Sequence, residues 1–337
     1  MQNVYLNKKL KNILNYIVGP ILFIWLSYSI YRQIKGQVDV QQSWNLILKA
    51  FQQENRWKLI IAIALMFVNW GIEARKWQLQ IKGIESIIFL NAFRQILAGQ
   101  ALGFNTINRI GESAGRSVFL KEGNRLRGVV LSFVGSMAQI IATFTMGVAA
   151  LLYMKVFILN NTNQLNNLSE FWLDGLIYVI AGGIILFTLA YFRLAGLIEL
   201  LEKIPIFSKY RYFIEKLEDF HWRALTRILL LSFGRYFVFL AQYILLLDVF
   251  NVPVFWLDAC ALVGVLFLVL AIVPTIALAE MGVRGKVSLL LFGLVSSNTI
   301  GIIATAGGIW LINLILPAIG GSLFILGLRL FRKSNSN

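Results

Sequence analysis

From Gly285 to Leu328 the chain runs for about 44 residues with little polar interruption. As helix at ~1.5 Å per residue that is roughly 66 Å, enough for two crossings of a ~30 Å hydrocarbon core. A segment this apolar restricts the fold to helices that satisfy their own backbone in a bilayer. Further apolar runs lie at Ile13–Ile30, Trp57–Ala74, Gly128–Tyr153, Phe171–Phe192, Ile228–Phe250 and Val254–Val273, and hydrophobic residues make up 58% of the 337 against 14% charged. The expected fold is all-α: a polytopic integral membrane protein with about eight transmembrane helices in a single domain, residues 1–337, the last pair turning near Ser296–Gly301. No small-residue cleavage site follows the first apolar run, so it reads as a span and not as a secretory signal.

The formal net charge of +15 would point to nucleic acid in a soluble chain. Here Lys and Arg gather in short loops between apolar runs, the positive-inside pattern with an added attraction to anionic lipid, so no nucleic-acid partner is expected. Lys8, Lys9 and Lys11 precede the first run, Arg75, Lys76 and Lys82 follow the second, and Arg329, Arg332 and Lys333 follow the last. This distribution predicts both termini on the cytoplasmic side of the cytoplasmic (inner) membrane. One cysteine, Cys260, and one histidine, His221, exclude a disulfide framework and a Cys/His metal cluster, and neither a metal nor another cofactor is expected.

Between the spans, Arg32–Lys58 reads as an external loop, either plain or carrying an interfacial helix at Trp44–Phe51. Arg193–Arg227 mixes both charge signs and reads as surface amphipathic helices or as a solvated connector. Ser86–Phe104 is long enough to cross, yet crossing would put Arg109, Arg116, Lys121, Arg125 and Arg127 outside. A re-entrant or broken half-helix entering from the inner face is therefore preferred. Asn69 reads as a helix–helix hydrogen bonder, and Arg235 either snorkels to the interface or faces a cavity.

Two polar, Gly-bearing inserts stand out, FNTINRIGESAGRSVFL at Phe104–Leu120 and VPTIALAEMGVRGKVSLLL at Val273–Leu291. Both open with a Thr-Ile pair, and in each a Glu precedes an Arg by four residues: Glu112 and Arg116, Glu280 and Arg284. Arginine presents a planar fork of donors suited to phosphate, and glycine lets backbone N–H groups approach the same oxygens. These features make Arg109, Glu112, Arg116, Glu280 and Arg284 candidate lipid-headgroup ligands, with Thr106, Gly111, Gln139, Arg235, Thr275 and Gly282 lining the cavity. The alternative is an ordinary i,i+4 surface pair at each site, worth about 0.3–0.5 kcal/mol. The inserts also hint at a weak internal repeat, 57–153 and 254–328, which the expected topology makes parallel.

Thr106-Ile107-Asn108-Arg109-Ile110-Gly111-Glu112, followed by Arg116, resembles the Thr-Pro-Gly-Arg-x-Gly-Glu pattern of the flippase-like family related to the transmembrane domain of bacterial lysylphosphatidylglycerol synthases. Ile107 and Asn108 stand where that family usually has Pro and Gly. Pro274 with Gly282-Val283-Arg284 resembles its later Pro and Gly-Val-Arg-Glu motif, with Gly285 in place of the Glu and an acid upstream at Glu280. The resemblance implies a lipid transporter or flippase fold with re-entrant elements. The full-length synthases add a soluble aminoacyl-transferring domain, and no such domain is expected in a chain that reaches only Asn337.

The function these features lead us to expect is a membrane lipid translocase, not an enzyme. Its substrate would be an anionic or aminoacylated phospholipid, or a polyprenyl-phosphate-type lipid. Two other classes remain open: a non-catalytic membrane subunit of an envelope-lipid or glycan enzyme, and a membrane-embedded lipid-modifying enzyme. The expected partners are membrane phospholipid and either further copies of the chain or a partner enzyme. No Walker-type Gly-Lys-Ser/Thr sequence is present to couple transport to a nucleotide.

Overall fold

In a computed structural model of the chain, the described residues are 56–104, 106, 109–159, 167–194, 196, 198, 212, 215–273 and 277–331, with the isolated positions 28 and 45. The first apolar run, the Trp44–Phe51 segment and most of 193–214 lie outside them. The described residues are helical, with no strand among them. Helix α1 is Arg56–Ile81, α2 Phe89–Gly103, α3 Gly111–Ser117, α4 Arg125–Tyr153, α5 Asn167–Phe192, α6 Trp222–Val249, α7 Trp256–Ile272, α8 Ala277–Phe292, α9 Thr299–Trp310 and α10 Leu316–Phe331. A 3-10 turn, Glu122–Asn124, leads into α4 and a π-helical segment, Met154–Leu159, extends it. A second π-helical segment, Leu311–Ile315, joins α9 to α10.

Five of these helical stretches are long and apolar enough to cross a membrane: Arg56–Ile81, Glu122–Leu159, Glu170–Phe192, Trp222–Val249 and Thr299–Ile325. They make the architecture that of a multi-pass membrane protein. Their polar ends fix their relative directions. Lys58 at the start of α1 pairs with Asp248 at the end of α6, so these helices run antiparallel. Lys155, at the start of the α4 extension, pairs with Glu170 and Asp174 early in α5, at 3.0 and 2.7 Å. The opposite end of the bundle carries Lys82, Lys121, Arg125, Arg127, Arg193, Arg223 and Arg227 and is called the basic end below.

Two helical hairpins enter this frame from opposite ends. The first, α2–α3, begins and finishes at the basic end. There the Asn124 side chain donates to the carbonyl of Ile84 at 3.2 Å and the Lys121 N–H donates to Glu85 at 3.2 Å. The hairpin is very tight because glycines line both arms. A Cβ at Gly99 would lie 2.8 Å from the Glu112 carbonyl, and one at Gly115 would lie 2.8 Å from the Gly99 Cα. Spaced four apart on each helix, Gly99 and Gly103 face Gly111 and Gly115, the small-residue seam that lets backbones approach in lipid.

The second hairpin, α7–α8, begins and finishes at the other end. Helix α6 stops there because Asn251 takes a left-handed conformation, φ 52°, which asparagine tolerates better than most residues. The Asn298 side chain caps the other side of the same corner, donating to the carbonyls of Phe250 (3.2 Å) and Asn251 (2.8 Å) and accepting from Gly301 N–H at 3.0 Å. The arms are 17 and 16 residues long, short of the ~20 a crossing takes. Helix α7 runs against α4 from Asp258, bonded by Tyr153 at 3.1 Å, to Leu268 beside Gly147, and so ends near the middle of α4.

Among the described residues five stretches have the length and hydropathy of a crossing, and Val254–Val273 and the start of Gly285–Leu328, expected as separate spans, are the shorter helices α7 and α8. Together they form one hairpin that starts and finishes at the end of the bundle opposite to that of α2–α3. The two inserts are therefore oppositely directed and not parallel. Their tips share a small core of Ala101 and Phe104 from α2, Met281 from α8, and Trp310, Leu314, Ile315 and Ala318 from α9–α10. The expected turn of the last pair near Ser296–Gly301 falls at 293–298, one turn of chain earlier.

Candidate functional site

Four polar residues of α1, Asn69, Glu73, Lys76 and Gln80, recur at helical spacing and so occupy one face. All four are buried, none more than 4% exposed. The Glu73 carboxylate is the hub of this face. One oxygen accepts from Arg116 of α3 at 3.1 Å; the other accepts from Arg235 of α6 at 2.9 Å and lies 3.1 Å from Lys76 Nζ. Gly135 on α4 admits this face. A Cβ there would fall 1.9 Å from the Gln80 side chain, and its carbonyl accepts from Lys76 at 3.3 Å.

Arg235 is held on every side. Its Nε donates to Asn69 at 2.7 Å, and its guanidinium lies 4.8 Å from the Trp70 ring and 5.5 Å from the Phe239 ring. It sits about 13 residues, roughly 20 Å, into α6, halfway along the helix. Its side chain points into the ion network between α1 and α6 and not towards the helix end.

The network continues across both hairpin tips. Glu112 lies 3.7 Å from Arg116 on one side and 3.7 Å from Arg109 on the other. Arg109 donates to Glu280 of the second hairpin at 2.8 Å, and Glu280 accepts from Arg284 at 2.6 Å. Tyr243 of α6 interacts with Arg284 and shares a hydrogen bond with Ser288 at 3.2 Å. All five proposed headgroup ligands are thus brought into one connected cluster, with Arg235 joined to it through Glu73. The i,i+4 pairs are neither separate nor at the surface: side-chain exposure runs from 1% at Lys76 through 7% at Arg116 to 29% at Arg109.

The remaining predicted lining residues have other surroundings. Thr106 closes the first tip, donating to the Gly103 carbonyl at 2.8 Å and accepting from Gly111 N–H at 3.0 Å. Gly111 is packed against α2, where a Cβ would meet the Leu102 carbonyl at 2.5 Å, while Gly282 faces open space. Gln139 lies on α4 with its Oε1 buried and without a hydrogen-bond partner. Thr275 is outside the described residues, as are Ile107 and Asn108.

Arg109 itself has a left-handed backbone, φ 56°, a conformation that costs a non-glycine residue of order 1–3 kcal/mol and is found where surrounding structure demands it. Here it turns the side chain of the first tip towards the second. Sequence reasoning misses Glu73 and reads Lys76, with Arg75 and Lys82, as part of an interfacial landing. The signal was the 69, 73, 76, 80 spacing, which puts polar groups on one stripe of an otherwise apolar helix.

Chemically, five cationic side chains, Lys76, Arg109, Arg116, Arg235 and Arg284, face three carboxylates, Glu73, Glu112 and Glu280. The excess of two positive charges is concentrated around Glu73, which alone serves three cations. Buried donors are left over: Arg116 Nε and Arg284 Nε and Nη1 have no hydrogen-bond partner among the described residues. A buried ion network stabilises a fold little compared with apolar packing, and intramembrane charges mark binding or transport paths. The arrangement is suited to receiving an anion. No group of three or more His, Cys, Asp or Glu residues able to hold a metal occurs among the described residues. No protein-family model matches the chain and no curated protein matches it.

Proposed function

We propose that the protein is a translocase of the cytoplasmic membrane that moves lipids bearing an anionic headgroup. The headgroup would pass through the charged network between the hairpin tips while the acyl chains stay in the bilayer. The observation that carries this reading is the surplus of positive charge, with unpaired guanidinium donors, halfway along the membrane helices. The basic end of the bundle is assigned to the cytoplasm by the positive-inside rule. On this reading α2–α3 re-enters from the cytoplasmic side and α7–α8 from the external side. If the Ile13–Ile30 run crosses, as its length in the sequence implies, both termini lie on the cytoplasmic side.

Opposed half-helices meeting at mid-depth are the arrangement expected of a transporter whose site is reached alternately from each face. The resemblance of the two inserts to the flippase-like pattern agrees with it. The test is purified protein in liposomes, scored for movement of labelled phosphatidylglycerol, aminoacylated phosphatidylglycerol and polyprenyl phosphate between leaflets. Movement of at least one, abolished in Arg116→Ala, is expected; inertness towards all three overturns the proposal.

A further inference from the structure

The charge pattern of the network goes further than "anionic". Around Glu73, one carboxylate is shared by Lys76, Arg116 and Arg235, whereas Arg109, Arg284, Glu112 and Glu280 balance one another. The uncompensated charge is thus two positive charges, both on the inner side of Arg116. Between Arg116 and Arg109 lies Glu112, which is 3.7 Å from each, too far for a hydrogen bond, with its buried Oε1 unpaired. Its neighbours are otherwise firmly bonded. Glu112 is the one acid of the cluster that a ligand can displace without breaking a hydrogen bond.

We infer that the ligand of this site is a dianionic phosphate, a phosphomonoester or diphosphate headgroup, which enters between Arg109 and Arg116 beside the Glu112 carboxylate. That carboxylate shifts but stays within the cluster, so that the surplus to be met remains two charges. This rests on the translocase reading only for the lipid that carries the phosphate. A phosphodiester such as phosphatidylglycerol brings one negative charge and leaves one of the two surplus charges buried and uncompensated. A lysyl ester of phosphatidylglycerol, with two amines and one phosphate, is a net cation and is repelled. In a low-dielectric site a single uncompensated charge a few ångströms away outweighs ordinary hydrogen-bond differences.

The site's own residues supply a graded test. Lys76→Met removes one of the two surplus charges. It conserves the length of an unbranched side chain and leaves Glu73 paired with both arginines, so the hub is not stripped. The dianion should then lose its advantage over the monoanion.

The experiment is binding to the purified full chain in detergent, measured by native mass spectrometry and competition, with phosphatidic acid, phosphatidylglycerol, lysyl-phosphatidylglycerol and inorganic phosphate as probes. Phosphomonoesters acquire their second charge near pH 6. The expected result at pH 8 is phosphatidic acid bound at least about tenfold more tightly than phosphatidylglycerol, with the margin shrinking at pH 5 and in Lys76→Met. Equal or tighter binding of phosphatidylglycerol or its lysyl ester at pH 8 overturns the dianion assignment and leaves the translocase reading standing. Inorganic phosphate competing as well as phosphatidic acid overturns the lipid as its source. Selective binding of phosphatidic acid with no lipid movement in liposomes sustains the site and overturns the translocase reading instead.

Discussion

Arg109 donates to Glu280 at 2.8 Å across 171 positions of sequence, joining the tips of two hairpins that enter the bundle from opposite ends. No other hydrogen bond between side chains of the two tips occurs among the described residues, so this pair carries the polar part of their contact.

The first prediction concerns that pair. Removing either partner leaves its neighbours with unmatched charge in a poorly hydrated site, whereas removing both does so less. In a double-mutant cycle of Arg109→Ala and Glu280→Ala followed by thermal unfolding in detergent, the coupling should exceed about 1 kcal/mol. Additive effects would mean that the tips do not meet in solution.

A second prediction concerns the glycine seam. Gly103→Ala puts a methyl 2.3 Å from the Glu112 Cγ, and Gly99→Ala puts one 2.8 Å from the Glu112 carbonyl. Each should destabilise the protein by about 1–3 kcal/mol, the usual cost of overpacking. At Gly175 on α5 a Cβ meets nothing within 4 Å, so Gly175→Ala should leave the unfolding temperature unchanged or raise it. Equal losses at all three positions would contradict the tight hairpin.

Third, the depth to which α7–α8 enters the membrane can be measured. In a Cys260→Ala background, cysteines at Lys82 and Gly123 should react with impermeant reagent from one face and those at Pro253 and Ser297 from the other. A fluorophore at Val273, on the tip, should be quenched best by probes near the bilayer mid-plane. Quenching at headgroup level would restore α7 and α8 as full crossings.

A fourth expectation separates charge from shape at Arg235. Arg235→Lys keeps the cation but loses the 2.7 Å bond from Nε to Asn69 and the stacking on Trp70. Lipid movement in liposomes should fall at least about tenfold, a loss of ~1.4 kcal/mol, while Arg223→Lys at the basic end should leave it unchanged. An active Arg235→Lys protein would reduce this arginine to a point charge.

Much of this was legible in the chain because apolar run length and loop charge act locally. The helices at Trp57–Ala74, Gly128–Tyr153 and Phe171–Phe192 fall within observed ones, Ile228–Phe250 overruns α6 by one residue, and the two inserts are where the hairpin tips form. The depth of Val254–Val273 was not legible. An apolar run of that length looks the same whether it crosses or turns back, and its meeting with the other hairpin rests on residues such as Arg109 and Glu280, 171 positions apart. Glu73 and Lys76 were hidden differently. Beside Arg75 and Lys82 they look like an interfacial charge cluster, and only the packing of α4 and α6 against the far side of α1 shows that their stripe is buried. Gly111 and Gly115, read as openings for a phosphate, instead let α3 lie against α2.

The buried stripe on α1 also bears on how the protein is made. Charged groups near a helix centre cost about 2.5–3.5 kcal/mol each when a segment partitions from the insertion machinery into lipid, and Glu73 and Lys76 lie well inside α1. Their partner Arg235 is synthesised 162 residues later. Arg116 follows Glu73 by 43 residues, and until it emerges α1 has only Lys76 to neutralise Glu73, so the nascent helix must stay shielded beside the translocon, a chaperone or water until α3 and then α6 arrive. The order of synthesis thus makes α1 the first helix to enter among those described, with Glu73 fully paired only once α6 arrives, and it makes Glu73 a position where membrane quality control would detect a bundle that has failed to close.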